Sequence, residues 1–337
     1  MTPSPSGLHI SVSGIVQGVG FRPFVYTTAT KYSLTGSVWN TSRGVEIEIF
    51  GAENDLNHFL NELTTRPPLL ARIDQIDSTN IPFEIIKGFS INTSQADVGQ
   101  FLPVSPDMSI CPDCLKELFD PKDRRYRYPF INCTNCGPRF SIVRDIPYDR
   151  PLTTMAAFPL CPTCEKEYND PSNRRFHAQP VACPDCGPRL QFIAGGQIVG
   201  KFEGAISLAR QFLQDGKIVA VKGLGGYHLA CDATNPQAVK TMRDRKKRSD
   251  RPFALMANDL DTIRKYCEVD ETETRLLQSP QHPIVLLSKK VGCVLPECIA
   301  PSQNHLGFML PYTPLHYLLL EPDDGHPDVL VMTSGNL

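Results

Sequence analysis

The spacing of hydrophobic residues divides the start of the chain into short strands and two helices. Strand-like patterns of apolar and polar positions occur over residues 8–14, 37–40, 45–50, 71–81 and 83–91. Residues 23–32 and 55–63 are predicted helices, and the apolar residues of the second helix share one face. The order strand, helix, strand, strand, helix, strand predicts the split βαβ, or ferredoxin-like, arrangement of an α+β domain over residues 8–92.

A second mixture of strands and helices occupies the last third of the chain. Helical patterns cover residues 204–213, 236–245, 260–266 and 272–277. Short apolar runs, typical of buried strands, cover residues 217–222, 253–256, 284–287 and 329–332. Mixed strands and helices indicate an α/β domain over residues 200–337. Because the sequence stops on a polar turn directly after the last predicted strand, we expect this domain to be truncated.

Between these two regions, residues 105–190 carry one cysteine pattern twice. Each copy, at 111–136 and at 161–186, has the form C-x2-C-x18-C-x2-C, which is the spacing of a four-thiolate zinc site. The eight cysteines are Cys111, Cys114, Cys133, Cys136, Cys161, Cys164, Cys183 and Cys186. We predict loops held by two structural Zn²⁺ ions, with cysteine pairing within each copy preferred to crossed pairing between copies. Disulfides are the alternative, disfavoured because the N-terminus has no signal-peptide pattern.

The composition limits the classes of function. The 337 residues are 41% hydrophobic and 21% charged and have a net charge of −2, which is ordinary for a globular protein of two or three domains. A chain without net positive charge has no overall field that attracts nucleic acid. No apolar run reaches the roughly 20 residues that cross a bilayer. We therefore expect a cytoplasmic zinc protein without a membrane segment.

A glycine-rich loop joins the first predicted strand to the first predicted helix. In the string Gly14-Ile-Val-Gln-Gly-Val-Gly-Phe-Arg22, the glycines at 18 and 20 free the backbone to point several N–H groups at one anion. The helix N-terminus adds its positive dipole end. Arg22 supplies a planar guanidinium that matches two phosphate oxygens, and Asn40 on the next strand carries an amide that can hold a water. The loop therefore predicts a phosphate site.

This string resembles the acylphosphatase family, whose hallmark G-x-V-Q-G-V-x-F-R is followed by an Asn on the next strand. The resemblance covers residues 8–92 and implies that Arg22 binds a phosphoryl group while Asn40 orients the attacking water. It also implies that the phosphoryl group is held by the backbone amides of Gln17, Gly18, Val19, Gly20 and Phe21.

Two strings of the last third resemble the YrdC-like family, which includes threonylcarbamoyl-AMP synthases. They are the cationic pattern at 246–252 and the T-S-[AG]-N turn at 333–336, and they accompany the lysine and glycines at 222–226. Glycines there suit close approach of a nucleotide or an acyl phosphate. The resemblance implies a site for ATP, with Mg²⁺, and a carbamoyl-adenylate. Its implied residues are Lys222, Tyr227, His228, Lys246, Arg248, Arg251, Thr333, Ser334 and Asn336.

The order of acylphosphatase domain, two zinc fingers and YrdC-like domain is similar to the HypF carbamoyltransferase family of [NiFe]-hydrogenase maturation, and the resemblance covers nearly the whole chain. It implies that carbamoyl phosphate is cleaved at the first domain and that the carbamate forms carbamoyl-adenylate with ATP at the last. It also implies that a further domain passes the carbamoyl group to the C-terminal cysteine of the partner HypE, which leads to the cyanide ligands of the NiFe site. The alternative is an RNA-binding or tRNA-modifying zinc protein whose RNA surface includes residues 243–251.

Overall fold

The computed structural model describes residues 5–95 and 105–336. Two compact units are present, one formed by Met1–Asp107 with Ile131–Gly187 and the other by Met108–Phe130 with Pro188–Leu337. The first four residues, on which the prediction of no signal peptide partly depends, and Leu337 at the end of the last predicted domain lie outside the described residues.

The first unit contains the predicted split βαβ arrangement. Its elements in chain order are β1 Pro5–Ile15, α1 Phe21–Lys31, β2 Thr35–Thr41, β3 Gly44–Ala52, α2 Glu53–Thr65, β4 Arg72–Ile81 and β5 Phe89–Ile91. The sheet order is β4-β1-β3-β2-β5, with β5 parallel to β2. The ferredoxin-like prediction is therefore confirmed, because the two central strands, β1 and β3, are antiparallel and each flanking strand follows a helix.

Burial along the sheet explains why the alternating pattern predicted these strands. Ile10 of β1 and Ile47 of β3 are fully buried against the helices, and so are Phe59 and Leu63 of α2. Each fully buried side chain of this size stabilises the folded state by about 1.5–3 kcal/mol. The predicted strand at 83–91 is shorter than expected, because Gly88 at φ 74° bends the chain and only the residues after it pair with β2.

Two short helices in the zinc region were not predicted. α3 Pro112–Phe119 and α4 Pro162–Asn169 each begin directly after the first cysteine of a copy, with a proline in the first turn, where its missing N–H costs nothing. Cys111 Sγ accepts a hydrogen bond from the Cys114 backbone N–H at 3.5 Å. Since each helix has only two turns, the sequence contains too little of the 3.6-residue periodicity to reveal it.

The second unit contains a hairpin and a six-stranded mixed sheet. Its remaining elements are β6 Gln191–Ala194, β7 Gln197–Lys201, α5 Glu203–Gln214, β8 Val219–Lys222, β9 Tyr227–Asp232, α6 Pro236–Arg245, β10 Ala254–Ala257, α7 Leu260–Tyr266, α8 Glu271–Leu277, β11 Val285–Ser288, β12 His305–Met309, α9 Pro314–Leu319 and β13 Val329–Ser334. The sheet order is β11-β12-β10-β13-β9-β8. The α/β prediction is confirmed, although the hairpin, β9, β12 and α9 were missed.

Both faces of this sheet are covered. On β13, the neighbouring residues Leu330 and Val331 are each fully buried in a different hydrophobic cluster, because successive side chains of a strand point to opposite faces. That is why the predicted strands appear in the sequence as continuous apolar runs. Within the described part of the chain, every helix is too short or too polar to cross a bilayer.

Candidate functional sites

In the loop between β1 and α1, two glycines adopt a backbone conformation that other residues rarely take. Gly18 and Gly20 have φ of 71° and 78°, in the left-handed region that favours glycine, and Gly20 caps the N-terminus of α1. A Cβ on Gly18 would lie 2.5 Å from Pro138 Cβ, so a side chain at this position has no space. We name residues 16–21 the phosphate loop, after the ligand that the sequence predicts for it.

Gln17 anchors the phosphate loop through its side chain. Its Nε2 donates to the carbonyls of Thr41 and Gly44, both at 2.8 Å, and its Oε1 accepts from the Tyr148 backbone N–H at 3.0 Å. The residue is buried, so these bonds replace the water that the amide loses. The side chain thus fixes the loop to the turn between β2 and β3.

The structure brings Arg22 and Asn40 together. Arg22 lies in the first turn of α1 and is 8% exposed, and Asn40 lies on β2 and is fully buried. We assign the Asn40 amide the orientation in which its oxygen faces the guanidinium, because the opposite orientation sets N–H donors against N–H donors; Oδ1 then accepts from Arg22 Nη2 at 3.2 Å and from Nε at 3.3 Å. The arginine and the amide that the sequence selected therefore form one hydrogen-bonded pair beside the phosphate loop.

Sequence reasoning missed two further partners of Arg22. Its Nη2 donates to Asp149 Oδ1 at 2.7 Å, and its Nη1 donates to Ser94 Oγ at 3.4 Å. Asp149 lies between the two cysteine copies, 127 positions from Arg22, in no recognisable motif. A contact over such a distance in sequence depends on the fold, and nothing in a single sequence could have identified it.

His177 faces the same small cleft as the phosphate loop. The cleft is lined by Gly18, Gly20 and Arg22 on one side and by Thr134 and His177 on the other. Burial, together with the positive charge of Arg22, lowers the pKa of His177 to about 4. The imidazole is therefore neutral at pH 7, where it can accept a hydrogen bond but adds no positive charge to the site.

The eight cysteines form two four-sulfur clusters, each within one copy of the motif. The ligand atoms of each cluster lie within 4.8 Å of one another. In the second cluster the sulfur of Cys183 lies 3.8 Å from that of Cys161 and 3.7 Å from that of Cys186. Sulfurs at the corners of a tetrahedron around zinc are about 3.8 Å apart, given Zn–S bonds of about 2.3 Å.

These distances decide between the alternatives that the sequence left open. A disulfide has an S–S bond of about 2.05 Å, so the spacing in the second cluster excludes one there. Pairing within each copy is confirmed, and crossed pairing is wrong. The two clusters fit two zinc ions, and because four cysteines complete the coordination, they fit structural rather than catalytic zinc.

In the second unit, the strand pairing gathers the predicted nucleotide residues at one end of the sheet. Lys222 pairs with Tyr227 across β8 and β9, and His228 pairs with Ser334 across β9 and β13. The Lys222 ammonium lies 5.0 Å from the centre of the Tyr227 ring. The register of strand pairing therefore brings Lys222, Tyr227, His228 and Ser334 to one end of the sheet, which we call the cationic edge. The order of these residues along the chain does not show that they are neighbours.

Lys246 and Arg248 reach the same edge from the end of α6. Lys246 Nζ donates to the carbonyls of Ser334 and Asn336, both at 2.6 Å, and Arg248 Nη1 donates to Thr333 Oγ1 at 3.2 Å. Burial and, after it, the positive charge of Arg248 lower the pKa of Lys246. The cluster would accommodate a negatively charged ligand.

One detail corrects the predicted picture of this edge, and a second adds to it. Thr333 and Ser334 belong to β13 rather than to a turn, because β9 continues the ladder as far as Ser334. Arg251 is exposed, and it contributes its carbonyl, which accepts from Arg248 Nε at 3.0 Å.

A buried imidazole adjoins this edge and was not predicted. His316 of α9 is fully buried, its ring stacks on His228 at 5.9 Å between centroids, and Tyr312 packs against it at 4.5 Å. Among the described residues, neither ring nitrogen of His316 has a hydrogen-bond partner. Burial, with a smaller effect of His228, lowers the pKa of His316 to about 3.

Comparison with known protein families gives the same three-part division. The acylphosphatase family matches residues 8–91, and the HypF finger matches residues 110–143 and 160–193. The family described as telomere recombination, which comprises Sua5, YciO and YrdC, matches residues 211–337.

Individual relatives extend the similarity across all three parts. The carbamoyltransferase HypF of a Synechocystis strain is 50% identical over 329 residues, which are 97% of this chain and 42% of that protein. A crystal structure of full-length HypF in the phosphate- and nucleotide-bound form superposes with a TM-score of 0.92 at 51% identity, covering 100% of this chain and 43% of that one. An acylphosphatase of Leuconostoc mesenteroides is 39% identical over 85 residues, which are 25% of this chain and 94% of the relative. The chain thus spans less than half the length of the HypF proteins that it matches.

Proposed function

Because this chain belongs to the HypF carbamoyltransferase family over the length that it spans, we propose that it cleaves carbamoyl phosphate and joins the resulting carbamate to ATP as carbamoyl-adenylate. One observation carries the proposal: the hydrogen-bonded pair of Arg22 and Asn40 stands beside the phosphate loop of a chain that also has a cationic cluster at Lys246. The similar full-length HypF structure was obtained with phosphate and nucleotide bound, which supports the same two ligand classes.

The first step is a phosphoryl transfer to water. We propose that the amides of residues 17–21 and the guanidinium of Arg22 bind the phosphoryl oxygens, while Asn40 orients the water. The water oxygen bonds to phosphorus, the bond from phosphorus to the carbamoyl oxygen breaks, and carbamate and inorganic phosphate leave. Arg22 stabilises the charge on the phosphoryl oxygens, and its burial makes that contact stronger than it would be in water.

The second step forms the adenylate. A carbamate oxygen attacks the α-phosphorus of ATP, and pyrophosphate leaves. Lys246 and Arg248, together with Lys222, are the cations that would offset the charge on the leaving pyrophosphate, and Mg²⁺ would accompany the ATP. We propose that Tyr227, His228, Arg251 and the residues at 333, 334 and 336 surround the nucleotide. Transfer of the carbamoyl group to the C-terminal cysteine of HypE is the later step that the family implies.

The zinc ions have a structural function in this proposal. Four-cysteine clusters leave no open coordination position for a substrate. Thiolate clusters of this kind persist in reducing surroundings, which supports the expected cytoplasmic location.

We propose three domains with the bounds 8–92, 105–190 and 200–337.

No feature of the described residues favours the RNA-binding alternative. Arg243, which begins the cationic stretch, is 9% exposed and donates to the carbonyls of Cys298, Ser249 and Ile299. Its guanidinium therefore fixes the chain between α6 and β10 and is not available to a phosphate backbone.

The experiment that tests the proposal is isotope exchange. The zinc-loaded chain is incubated with ATP, Mg²⁺, carbamoyl phosphate and labelled pyrophosphate. Because adenylate formation is reversible, label should enter ATP only when carbamoyl phosphate is present. Exchange of the same size without carbamoyl phosphate, or no release of inorganic phosphate from carbamoyl phosphate, would contradict the proposed sequence of steps.

A further inference from the structure

We propose that Asp149 is an internal ligand of Arg22, which competes with the phosphoryl group for the guanidinium and so weakens the binding of both substrate and phosphate product. Asp149 lies outside residues 8–91, the part that matches acylphosphatases. The inference concerns the same site as the proposed function, but its central prediction, on phosphate affinity, holds whether or not carbamoyl phosphate is the substrate.

The contact has the features of a strong ion pair. The distance between Arg22 Nη2 and Asp149 Oδ1 is 2.7 Å, and the two side chains are 9% and 21% exposed. A charged hydrogen bond of this length, largely shielded from water, is stronger than a neutral one. The pair therefore is the state that an incoming phosphoryl group meets.

Asp149 and a phosphoryl group compete because the guanidinium of Arg22 has only two edges that can make a two-point contact. A guanidinium can hold a phosphoryl group with two parallel bonds along either of two edges, Nε with Nη2 or Nη1 with Nη2. Asn40 accepts from Nε and Nη2 and so occupies the first edge. Asp149 and Ser94 accept from Nη2 and Nη1 and so occupy the second. A two-point contact with phosphate thus requires one of these groups to leave.

Asp149 is the group whose departure the proposed reaction permits. Asn40 has to stay if it orients the water, and a carboxylate next to a phosphoryl oxygen would repel it. Ser94 is neutral and 3.4 Å away, so it is easily displaced. The exchange of carboxylate for phosphate keeps an anion against Arg22 at both stages.

The neighbours of Asp149 keep its carboxylate close to the phosphate loop. On one side the Tyr148 N–H donates to Gln17 Oε1 at 3.0 Å, and on the other the Arg150 N–H donates to Gln179 Oε1 at 2.8 Å. Arg150 Nη1 also donates to the carbonyl of Gln179 at 2.8 Å. Because both neighbours are fixed, a displaced Asp149 remains near Arg22 and can return when phosphate leaves.

The measurable consequence follows from competition. If Arg22 is free of Asp149 in about one tenth of the molecules, the apparent dissociation constant of any phosphate-bearing ligand is about tenfold weaker than the intrinsic one. Removing the carboxylate should then strengthen inorganic phosphate binding and lower the KM for carbamoyl phosphate by the same factor. It should not raise kcat, because the competing contact is absent once substrate is bound.

The experiment compares wild type, Asp149→Asn and Asp149→Ala by calorimetric titration with inorganic phosphate. Asp145→Asn, an exposed carboxylate in the same segment, is the matched control. Phosphate should bind about tenfold more tightly to both Asp149 variants, and unchanged to the control. Arg22→Ala, alone or combined with Asp149→Asn, should abolish binding. Zinc content and thermal unfolding show whether each variant is folded. If Asp149→Asn does not fold, Asp149→Ala provides the test.

Equal or weaker phosphate binding in a folded Asp149 variant would overturn the inference and would show that Asp149 only positions Arg22. Tighter phosphate binding without any hydrolysis of carbamoyl phosphate would uphold the inference and refute the proposed function. The two ideas therefore fail in different measurements.

Discussion

Arg127 and His177 occupy equivalent positions in the two zinc-finger copies and share a left-handed backbone, with φ of 55° and 53°. The Arg127 N–H donates to the Leu118 carbonyl at 2.8 Å, and the His177 N–H donates to the Tyr168 carbonyl at 3.0 Å. The side chains have different surroundings. Arg127 forms ion pairs with Glu203 and Glu321, whereas His177 faces the cleft beside the phosphate loop. The two copies thus share the backbone conformation at this position but carry side chains with different partners.

Replacing Arg22 by Ala should slow phosphate release from carbamoyl phosphate about 10²- to 10³-fold, because a preorganised donor to a charged transition state contributes about 3–4 kcal/mol. The measurement is steady-state hydrolysis, with Arg43→Ala as the matched control, since Arg43 is an exposed arginine in the turn between β2 and β3. Activity within threefold of wild type would contradict the assigned role of Arg22.

Metal analysis of the purified chain should give two zinc ions per molecule. Cys164→Ser should lose one of the two, because each cluster draws its four sulfurs from one copy of the motif. A chelator that removes both ions should lower the thermal unfolding midpoint, since a four-thiolate site contributes directly to folding. A wild-type stoichiometry of one, or loss of both ions in Cys164→Ser, would contradict two independent sites.

Stability should fall as the pH drops below 6.5, and His316 should be a main cause. The unfolded chain binds a proton at this residue with a pKa of about 6.5, but the folded protein does so only with a pKa of about 3. Acid therefore favours the unfolded state over this range. Between pH 7 and pH 5 one such histidine removes about 2 kcal/mol of stability.

The comparison that isolates this effect uses His316→Leu, which cannot titrate, and His305→Gln, an exposed histidine, as the control. Unfolding free energies from urea titrations at pH 7 and pH 5 should differ less in His316→Leu than in wild type, while His305→Gln should behave as wild type. An equal pH dependence in all three proteins would refute the assignment.

The sequence was sufficient wherever the chemistry lies in contiguous residues. The phosphate loop, residues 16–21, and the two cysteine motifs are local patterns, and their geometry follows from backbone requirements of glycine and from tetrahedral thiolate coordination. Long amphipathic elements such as α2 and α5 were also predictable, because they contain enough turns to show their period.

What the sequence could not provide depends on contacts between distant segments. Asp149 is an ordinary acidic residue until the fold places it 2.7 Å from Arg22. His316 sits on a six-residue helix without a recognisable period, and its stacking on His228 arises from tertiary packing. The eight-residue helices after Cys111 and Cys161 are too short to show a period, and each follows the first cysteine of a four-cysteine cluster that fits zinc.

The cationic edge of the second unit makes the last prediction. Replacing Lys246 or Arg248 by Ala should lower carbamoyl-phosphate-dependent exchange of pyrophosphate into ATP about 10- to 100-fold, because each change removes a charged hydrogen bond of about 1.5–3 kcal/mol. Lys240→Ala is the matched control, since Lys240 is an exposed lysine of the same helix, α6.

The side chains of Lys246 and Arg248 also form hydrogen bonds within the protein. The loss of pyrophosphate exchange therefore has to be measured together with the stability of each variant. Lys246 holds the carbonyls of Ser334 and Asn336, and its loss could loosen the end of β13. Thermal unfolding reports that effect, and phosphate release at the phosphate loop should stay unchanged in both variants. If exchange survives at the wild-type rate in a folded Lys246→Ala and Arg248→Ala double variant, the adenylate is formed elsewhere. If exchange falls together with phosphate release, the substitutions have damaged the whole protein, and the cluster is structural.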